Sequence, residues 1–106
     1  MPEERRRSPR YEIEGGELAL LPVALSVQVL DISAAGALLQ SNQSAKVGGR
    51  GRLRMTMAGQ PFSADVDVRR VSLGVGNVGH RIGVMFVDIS PESQQMIERF
   101  TRQRTA

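Results

Sequence analysis

Apolar and polar side chains alternate along residues 50–72, and this alternation limits the possible folds more than any other feature of the chain. A two-residue period places successive side chains on opposite faces of a β-strand. The alternation is interrupted at residues 58–61, whose sequence Ala-Gly-Gln-Pro is typical of a turn. The pattern therefore predicts a β-hairpin with one apolar face and one charged face.

The same pattern predicts the register of this hairpin. A turn centred between Gly59 and Gln60 pairs apolar residues with apolar residues, and arginine with aspartate. Because Pro61 has no N–H to close a tight turn, we expect a loop slightly longer than two residues. The predicted pairs are Leu53 with Val66, Met55 with Ala64, Met57 with Phe62, Arg54 with Asp65, and Arg52 with Asp67.

Other segments add short strands and one helix. The alternating apolar residues at 23–30 predict a half-buried strand, and residues 36–41 and 80–87 predict two more. A helix is predicted from Pro91, because Ser90 is a good N-cap and Glu92 suits the positive helix end. Its apolar stripe consists of Met96, Ile97 and Phe100. We expect this stripe to cover the β-barrel that the strands are predicted to form.

Together these elements predict a mainly β fold class. We expect a small six-stranded antiparallel β-barrel with one C-terminal α-helix at about residues 91–104. The barrel domain is predicted to span residues 11–106, after a flexible arm at residues 1–10. A length of 106 residues suits one small domain.

The composition excludes several classes of protein. The chain has no cysteine, so it has no disulfides or thiolate metal sites and is compatible with a reducing compartment. It has no apolar run near the roughly 20 residues that a transmembrane helix needs. Charge from Glu3 onward is unlike a secretory signal, so we expect a cytoplasmic protein without membrane insertion.

Polar residues with possible binding chemistry follow the strand at 23–30. If that strand continues through Asp31, the Asp31 carboxylate and the Ser33 hydroxyl share the face opposite Ile32. Gly36 then supplies either a positive φ or bare backbone for something to lie against. Such a surface could bind a flat ligand with N–H groups on its edge, such as guanine. A simple strand-ending turn is the alternative, since Asp, Ser and Gly are common turn residues.

The N-terminal segment is rich in arginine, which supplies nearly all of the positive charge in a chain of net charge +3. The segment has no hydrophobic period, and its arginines are Arg5, Arg6, Arg7 and Arg10. One interpretation is a solvated basic tail. The other is an arm that becomes ordered when it binds an anion, since the arginine fork suits phosphates and guanine edges.

Three weaker patterns do not predict catalysis or metal binding. The GxGxxG sequence at residues 74–79 is followed by a strand pattern, whereas a nucleotide-binding motif needs a helix there. His80 is the sole histidine, and no nucleophile elbow accompanies it. Asp65 and Asp67 are expected to pair with arginines. We therefore expect no catalytic residues, no metal and no enzymatic activity.

The RxxxR spacing of Arg6 and Arg10, followed by the DxSxxG sequence of residues 31–36, resembles the PilZ domain family of cyclic di-GMP receptors. The resemblance covers nearly the whole chain. It includes residues 83–86, Gly-Val-Met-Phe, which are similar to the Gly-Val-x-Phe strand of that family. It implies the split β-barrel of the family.

This resemblance also implies the ligand and its site. Cyclic di-GMP would be the ligand, with no other cofactor, and its ordering of the arm would be relayed to a protein partner of unknown identity. We expect Arg5, which extends the arginine cluster, to favour a stacked ligand dimer. The residues implied to bind cyclic di-GMP are Arg6 and Arg10 in the arm and Asp31, Ser33 and Gly36 on the barrel, with Arg5 added to them.

Two other functions stay open at this point. The first is a protein-interaction adaptor with the same fold and little nucleotide affinity. The second is a nucleic-acid binder that uses the basic arm, although an aromatic content of 4% without tryptophan offers few surfaces for base stacking. Retention of both motifs favours the cyclic di-GMP receptor, with no nucleic-acid polymer as partner.

Overall fold

In a computed structural model, the described part of the chain forms one antiparallel sheet of seven strands followed by a helix. The structure describes residues 13–21, 23–74, 76 and 79–105. The strands are β1 (Ile13–Ala19), β2 (Ala24–Ser26), β3 (Gln28–Ile32), β4 (Gly36–Ser41), β5 (Arg50–Met57), β6 (Gln60–Leu73) and β7 (His80–Ile89), and the helix is α1 (Pro91–Thr105). Their order across the sheet is β2-β1-β5-β6-β7-β4-β3.

The two edge strands of this sheet are consecutive pieces of chain. Only Val27 separates β2 from β3, yet β2 pairs with β1 at one edge and β3 pairs with β4 at the other. The N–H of Val27 donates to the carbonyl of Gly16 at 3.0 Å. The sheet therefore curls back on itself, and β2 and β3 together act as one interrupted strand. Counted in this way, the strands of the described residues number six, as predicted.

The predicted register of the β5–β6 hairpin is wrong by two residues. The turn consists of Ala58 and Gly59 alone, with φ of 52° and 79°, as a type I′ turn requires. Met57 pairs with Gln60, so Gln60 rather than Pro61 flanks the turn. The next pair, Thr56 with Pro61, falls at a position of the antiparallel ladder where no N–H is needed.

A shift of two residues leaves every side chain on its predicted face but changes its partner. Arg50 rather than Arg52 pairs with Asp67, and Arg52 rather than Arg54 pairs with Asp65. The Nε–Oδ1 distances are 2.9 Å for Arg50–Asp67 and 3.0 Å for Arg52–Asp65. The hydrogen bond from Arg50 holds the pKa of the Asp67 carboxyl below its usual range and raises the pKa of the guanidinium.

The helix covers the interior of the curled sheet, as its apolar stripe predicts. Ile97 and Phe100 are buried with the apolar strand residues in one core. Ser90 Oγ accepts the N–H of Ser93 at 3.1 Å, which is the expected N-cap bond. Ser93 Oγ donates to the carbonyl of Ser63 at 3.2 Å and ties the first turn to β6.

Gly74 and Gly79 form the base of the β6–β7 connection, where the Gly74 N–H donates to the Gly79 carbonyl at 3.0 Å. Strand β7 starts at His80 directly afterwards. A phosphate-binding loop would instead lead into the N-terminus of a helix. The GxGxxG sequence therefore connects two strands of a hairpin, as predicted.

Candidate functional site

A shallow pocket of about 170 Å³ lies on the outer surface where β3 turns into β4. The three barrel residues that the sequence singled out, Asp31, Ser33 and Gly36, all line it. The remaining lining residues are Ile32, Ala37 and Leu38. The structure therefore brings the DxSxxG residues together at one place.

Asp31 reaches this outer surface because β3 contains a bulge. Val29 pairs with Leu39, and Asp31 pairs with Leu38, so Leu30 is the extra residue of the bulge. Val29 is buried and Asp31 is exposed, although they are two residues apart. The carboxylate is oriented by the Ile32 N–H, which donates to Oδ1 at 2.9 Å.

Ser33 closes the turn between the two strands. Its N–H donates to the carbonyl of Gly36 at 2.8 Å, and its Oγ accepts the N–H of Ala35 at 3.3 Å. That second bond uses a lone pair of the hydroxyl and leaves its hydrogen for another acceptor. Both residues are exposed and line the same pocket, so the pocket offers one acidic acceptor and one hydroxyl donor.

Gly36 is required by the packing of β4 against β7. A Cβ at this position would lie 2.1 Å from the carbonyl oxygen of Val84 and 3.0 Å from the Cα of Met85. Its φ is not among the positive values of the described glycines. The bare backbone of Gly36 is therefore approached by the backbone of β7, and its predicted contact with a ligand stays a prediction.

The outer face continues from this pocket across three further strands. Asp31 pairs with Leu38, Leu38 pairs with Gly83, and Gly83 pairs with Arg70. Directly paired residues point to the same side of a sheet. The row that starts at Asp31 therefore ends at Arg70, about 14 Å away at about 4.8 Å per strand.

The register also distinguishes Arg69 from Arg70, which the sequence could not do. Val68 pairs with Val84 and Arg70 with Gly83, so Arg69 is the bulged residue. The guanidinium of Arg69 lies near Met85, with 4.0 Å between Nη1 and Sδ. Arg70 therefore belongs to the row of paired residues that starts at Asp31. Arg69 lies next to it on β6, at the exposed bulge.

Sequence reasoning missed Arg81, which lies in the next outward row of the sheet. Arg81 pairs with Gln40 on one side and with Ser72 on the other. It is half-buried, and its Nε is buried without a hydrogen-bond partner among the described residues. The alternation of β7 could have indicated its outward position, but only the pairing of β7 with β4 and β6 brings it near the site.

The arm residues Arg5, Arg6 and Arg10 lie outside the described residues. The first described residue is Ile13, at the start of β1. Their predicted role in binding therefore stays a prediction.

A larger pocket of about 460 Å³ lies between the β5–β6 hairpin and the start of α1. Its lining includes Asp65, Asp88 and Glu92, with Arg52 as the basic residue. This excess of carboxylates opposes the binding of a phosphate. Volume alone therefore does not identify the site, and the excess of carboxylates disfavours this larger pocket as a place for a phosphate.

Within the described residues, no group of three or more His, Cys, Asp or Glu side chains is arranged to hold a metal ion. Among the helices of that same part of the chain, none has the length and apolarity needed to span a bilayer.

Solved structures with similar folds include those of MotI and YcgR. The Bacillus subtilis inhibitor of motility, MotI/DgrA, is similar over 88% of this chain with a TM-score of 0.74 and 15% identity. The PilZ domain of YcgR from Escherichia coli, in a structure described as containing c-di-GMP, is similar over 85% of this chain with a TM-score of 0.67 and 16% identity. The chain spans 47% of the MotI chain and 80% of that YcgR domain.

In sequence, no curated protein is significantly similar to the chain. A family model for the PilZ domain nevertheless matches residues 4–103, which is nearly the whole chain. The antiparallel barrel with its closing helix agrees with that match. The chain belongs to the PilZ domain family.

Proposed function

We propose that this protein is a cyclic di-GMP receptor that binds its ligand on the outer face of the barrel, between the N-terminal arm and the pocket at the β3–β4 turn. The observation that carries this proposal is the juxtaposition of Asp31 and Ser33 in one outward-facing pocket of a PilZ domain. The PilZ domain of YcgR, a structural neighbour, is described with c-di-GMP bound.

The chemistry of the pocket fits one guanine of this ligand. A guanine presents N–H donors on its Watson–Crick edge, and an ionised Asp31 can only accept hydrogen bonds. Ser33 retains a hydroxyl hydrogen for an acceptor on the ligand. Arginines bind phosphate oxygens, or guanine O6 and N7, through two parallel bonds. We therefore assign Arg6 and Arg10 to the phosphate and guanine acceptors, and Asp31 to the guanine donors.

The path of β1 supports the participation of the arm. Glu17 pairs with Ser26, and the carbonyl of Gly16 accepts the N–H of Val27. The β1 strand is antiparallel to the β2–β3 segment. From Gly16 towards the N-terminus, β1 therefore runs in the same direction as the chain from Val27 to Asp31. Arg10 lies three residues before Ile13, within about 10 Å of chain. The proposal therefore requires the arm to continue in the direction of β1 over a distance that the chain between Arg10 and Ile13 can span.

Ligand binding would thereby become a mechanical signal. Arginines of the arm and polar groups of the barrel would bind opposite sides of one molecule, so that the arm folds over the barrel. Binding would supply the free energy for ordering the arm. The new position of the arm is then available to a protein partner. In this proposal the protein is a receptor rather than an enzyme, and its cytoplasmic location stays a prediction from the sequence.

We further propose that Arg5 supports a second, stacked ligand molecule. A second cyclic dinucleotide would add phosphates and guanine edges, and Arg5 precedes the RxxxR pair directly. The extra guanidinium would offset the negative charge that two ligands bring together.

Titration calorimetry with cyclic di-GMP tests the proposed receptor function, with GTP and linear pGpG as control ligands. We expect saturable binding of the cyclic dinucleotide and at least about tenfold weaker binding of both controls, since neither can span the arm and the pocket in the same geometry. Absence of binding by the cyclic dinucleotide would contradict the proposal and favour the adaptor function. Equal binding of all three would indicate nonspecific attraction of phosphates to the arm.

A further inference from the structure

Arg81 has a polar atom that the described part of the fold does not satisfy. Its side chain is half-buried on the outer face of β7, and its Nε is buried with no hydrogen-bond partner there. Leaving a buried N–H donor unpaired costs free energy, and the cost is larger when the group is charged. Arg50 and Arg52, in contrast, are paired with aspartates on the same sheet. Arg81 is therefore prepared for an acceptor that the described residues do not supply.

Among the described residues, no carboxylate occupies the sheet positions around Arg81. Its direct partners are Gln40 on β4 and Ser72 on β6, and both are neutral. The diagonal neighbours are Leu38 on β4 and Arg70 on β6, so the local charge is positive. Two arginine side chains share one part of the surface, which disfavours the empty state and favours an anionic or acceptor-rich occupant.

Gly83 has no side chain and therefore leaves the sheet surface uncovered between these two arginines. It pairs with Arg70, and it lies two residues from Arg81 on the outward face of β7. A Cβ at Gly83 would meet the Cβ of Arg70 at 3.6 Å, an ordinary contact, so the fold itself does not demand glycine there. Gly83 also pairs with Leu38, which lines the Asp31 pocket. The uncovered surface at Gly83 is therefore continuous with the pocket at Asp31.

We propose that Arg81, with Arg70 beside it, forms a second subsite that takes a pair of hydrogen-bond acceptors on bound cyclic di-GMP. The acceptors are either two phosphate oxygens or O6 and N7 of a guanine, since both suit the arginine fork. This subsite rests on the proposed receptor function and extends it from β3 and β4 to β7 and β6. The exposed part of the Arg81 guanidinium would make the first contact, and the side chain would turn on binding so that its Nε–H, which is covered in the unliganded fold, also reaches an acceptor.

The test compares Arg81→Met with wild type and with Arg54→Met by calorimetry with cyclic di-GMP. Arg54 is an exposed arginine on β5 that pairs with Glu17 and Ser63, away from the subsite. We expect Arg81→Met to weaken binding at least about tenfold, as for a lost charge-assisted contact, and Arg54→Met to change it less than about threefold. Arg70→Met should also weaken binding.

The melting temperature without ligand provides a second measurement. Methionine fills a similar volume without a buried donor, so Arg81→Met should melt at the same or a higher temperature than wild type. The dependence of affinity on salt concentration then shows whether Arg81 binds phosphate oxygens or the guanine edge. A shallower dependence in Arg81→Met indicates phosphate oxygens, because fewer charges pair on binding, and an unchanged one indicates the guanine edge.

Two results would overturn the subsite while leaving the receptor function intact. One is affinity of Arg81→Met within about threefold of wild type while Arg6→Ala binds at least about tenfold more weakly. The other is a clearly lower melting temperature of unliganded Arg81→Met, which would show that Arg81 has a structural role. Failure of the wild-type protein to bind cyclic di-GMP would overturn the receptor function and the subsite together.

Discussion

Val29 and Asp31 lie two residues apart in β3 but on opposite faces of the sheet, because Leu30 forms a bulge between them. Val29 is 5% exposed in the core, whereas Asp31 is exposed beside the turn to β4. Without the bulge, the alternation that buries Leu25 and Val29 would turn the Asp31 carboxylate into the barrel. The bulge therefore produces the candidate site, in line with the occurrence of bulges beside functional sites.

Replacing Asp31 with alanine should weaken cyclic di-GMP binding about tenfold or more, because a hydrogen bond to a charged group contributes on the order of 1.5–3 kcal/mol. Stability should change by less than about 1 kcal/mol, because the side chain is exposed. Calorimetry and urea denaturation measure the two effects. The control is Asp88→Ala, which removes a different exposed carboxylate, on β7, and should retain affinity. Equal affinities of both variants would contradict the role of Asp31.

Replacing Arg6 or Arg10 with alanine should likewise weaken binding about tenfold or more, since each removes a charge-assisted contact of about 1.5–3 kcal/mol. Arg7→Ala is the matched control, because it removes the same charge from the same segment outside the RxxxR spacing. Calorimetry at one salt concentration compares the three variants. Uniform losses across all three would mean that the arm acts only through its total charge.

Replacing Arg5 with alanine should change the stoichiometry rather than abolish binding. We expect two cyclic di-GMP molecules per chain for wild type and one for Arg5→Ala, because Arg5 is assigned to the second, stacked molecule. The measurement is the molar ratio at the equivalence point of a calorimetric titration with accurately determined protein concentration. One ligand per chain for both proteins would exclude the stacked dimer.

Replacing Gly36 with alanine should destabilise the barrel by at least about 2 kcal/mol, because the added Cβ would overlap the backbone of β7 and force the strands apart. Gly83→Ala is the control, since its Cβ would make an ordinary contact at 3.6 Å, and it should change stability by less than about 1 kcal/mol. Urea denaturation gives both values. Equal stabilities would show that β4 and β7 are not in close backbone contact at Gly36.

Much of the fold follows from local patterns in the sequence. The two-residue alternation predicts the strands, and Ser90 with Pro91 predicts the start of the helix. The predicted hairpin register is wrong because it neglects the alternation of hydrogen-bonded and non-hydrogen-bonded pairs. With Gln60 next to the turn, the missing N–H of Pro61 has no cost. Pairing charges across the hairpin cannot distinguish two registers that differ by two residues.

The candidate site was predictable only in part. The sequence predicts that Asp31 and Ser33 share a face, but the bulge at Leu30 that turns this face outward has no local signal. Arg70 and Arg81 join the same surface through pairing between β6, β7 and β4, which are distant in sequence. Such nonlocal register is set by the closure of the whole barrel.

The most direct measurement of joint binding by the arm and the pocket is an NMR titration of the isotope-labelled protein with cyclic di-GMP. We expect large, saturable shifts of the backbone amides at residues 5–10 and 31–36 with the same apparent affinity, because arm and pocket bind one ligand. Amides of residues 91–101 of α1, on the other side of the core, should move little. Unchanged spectra for the arm and the pocket in excess ligand would contradict this binding mode.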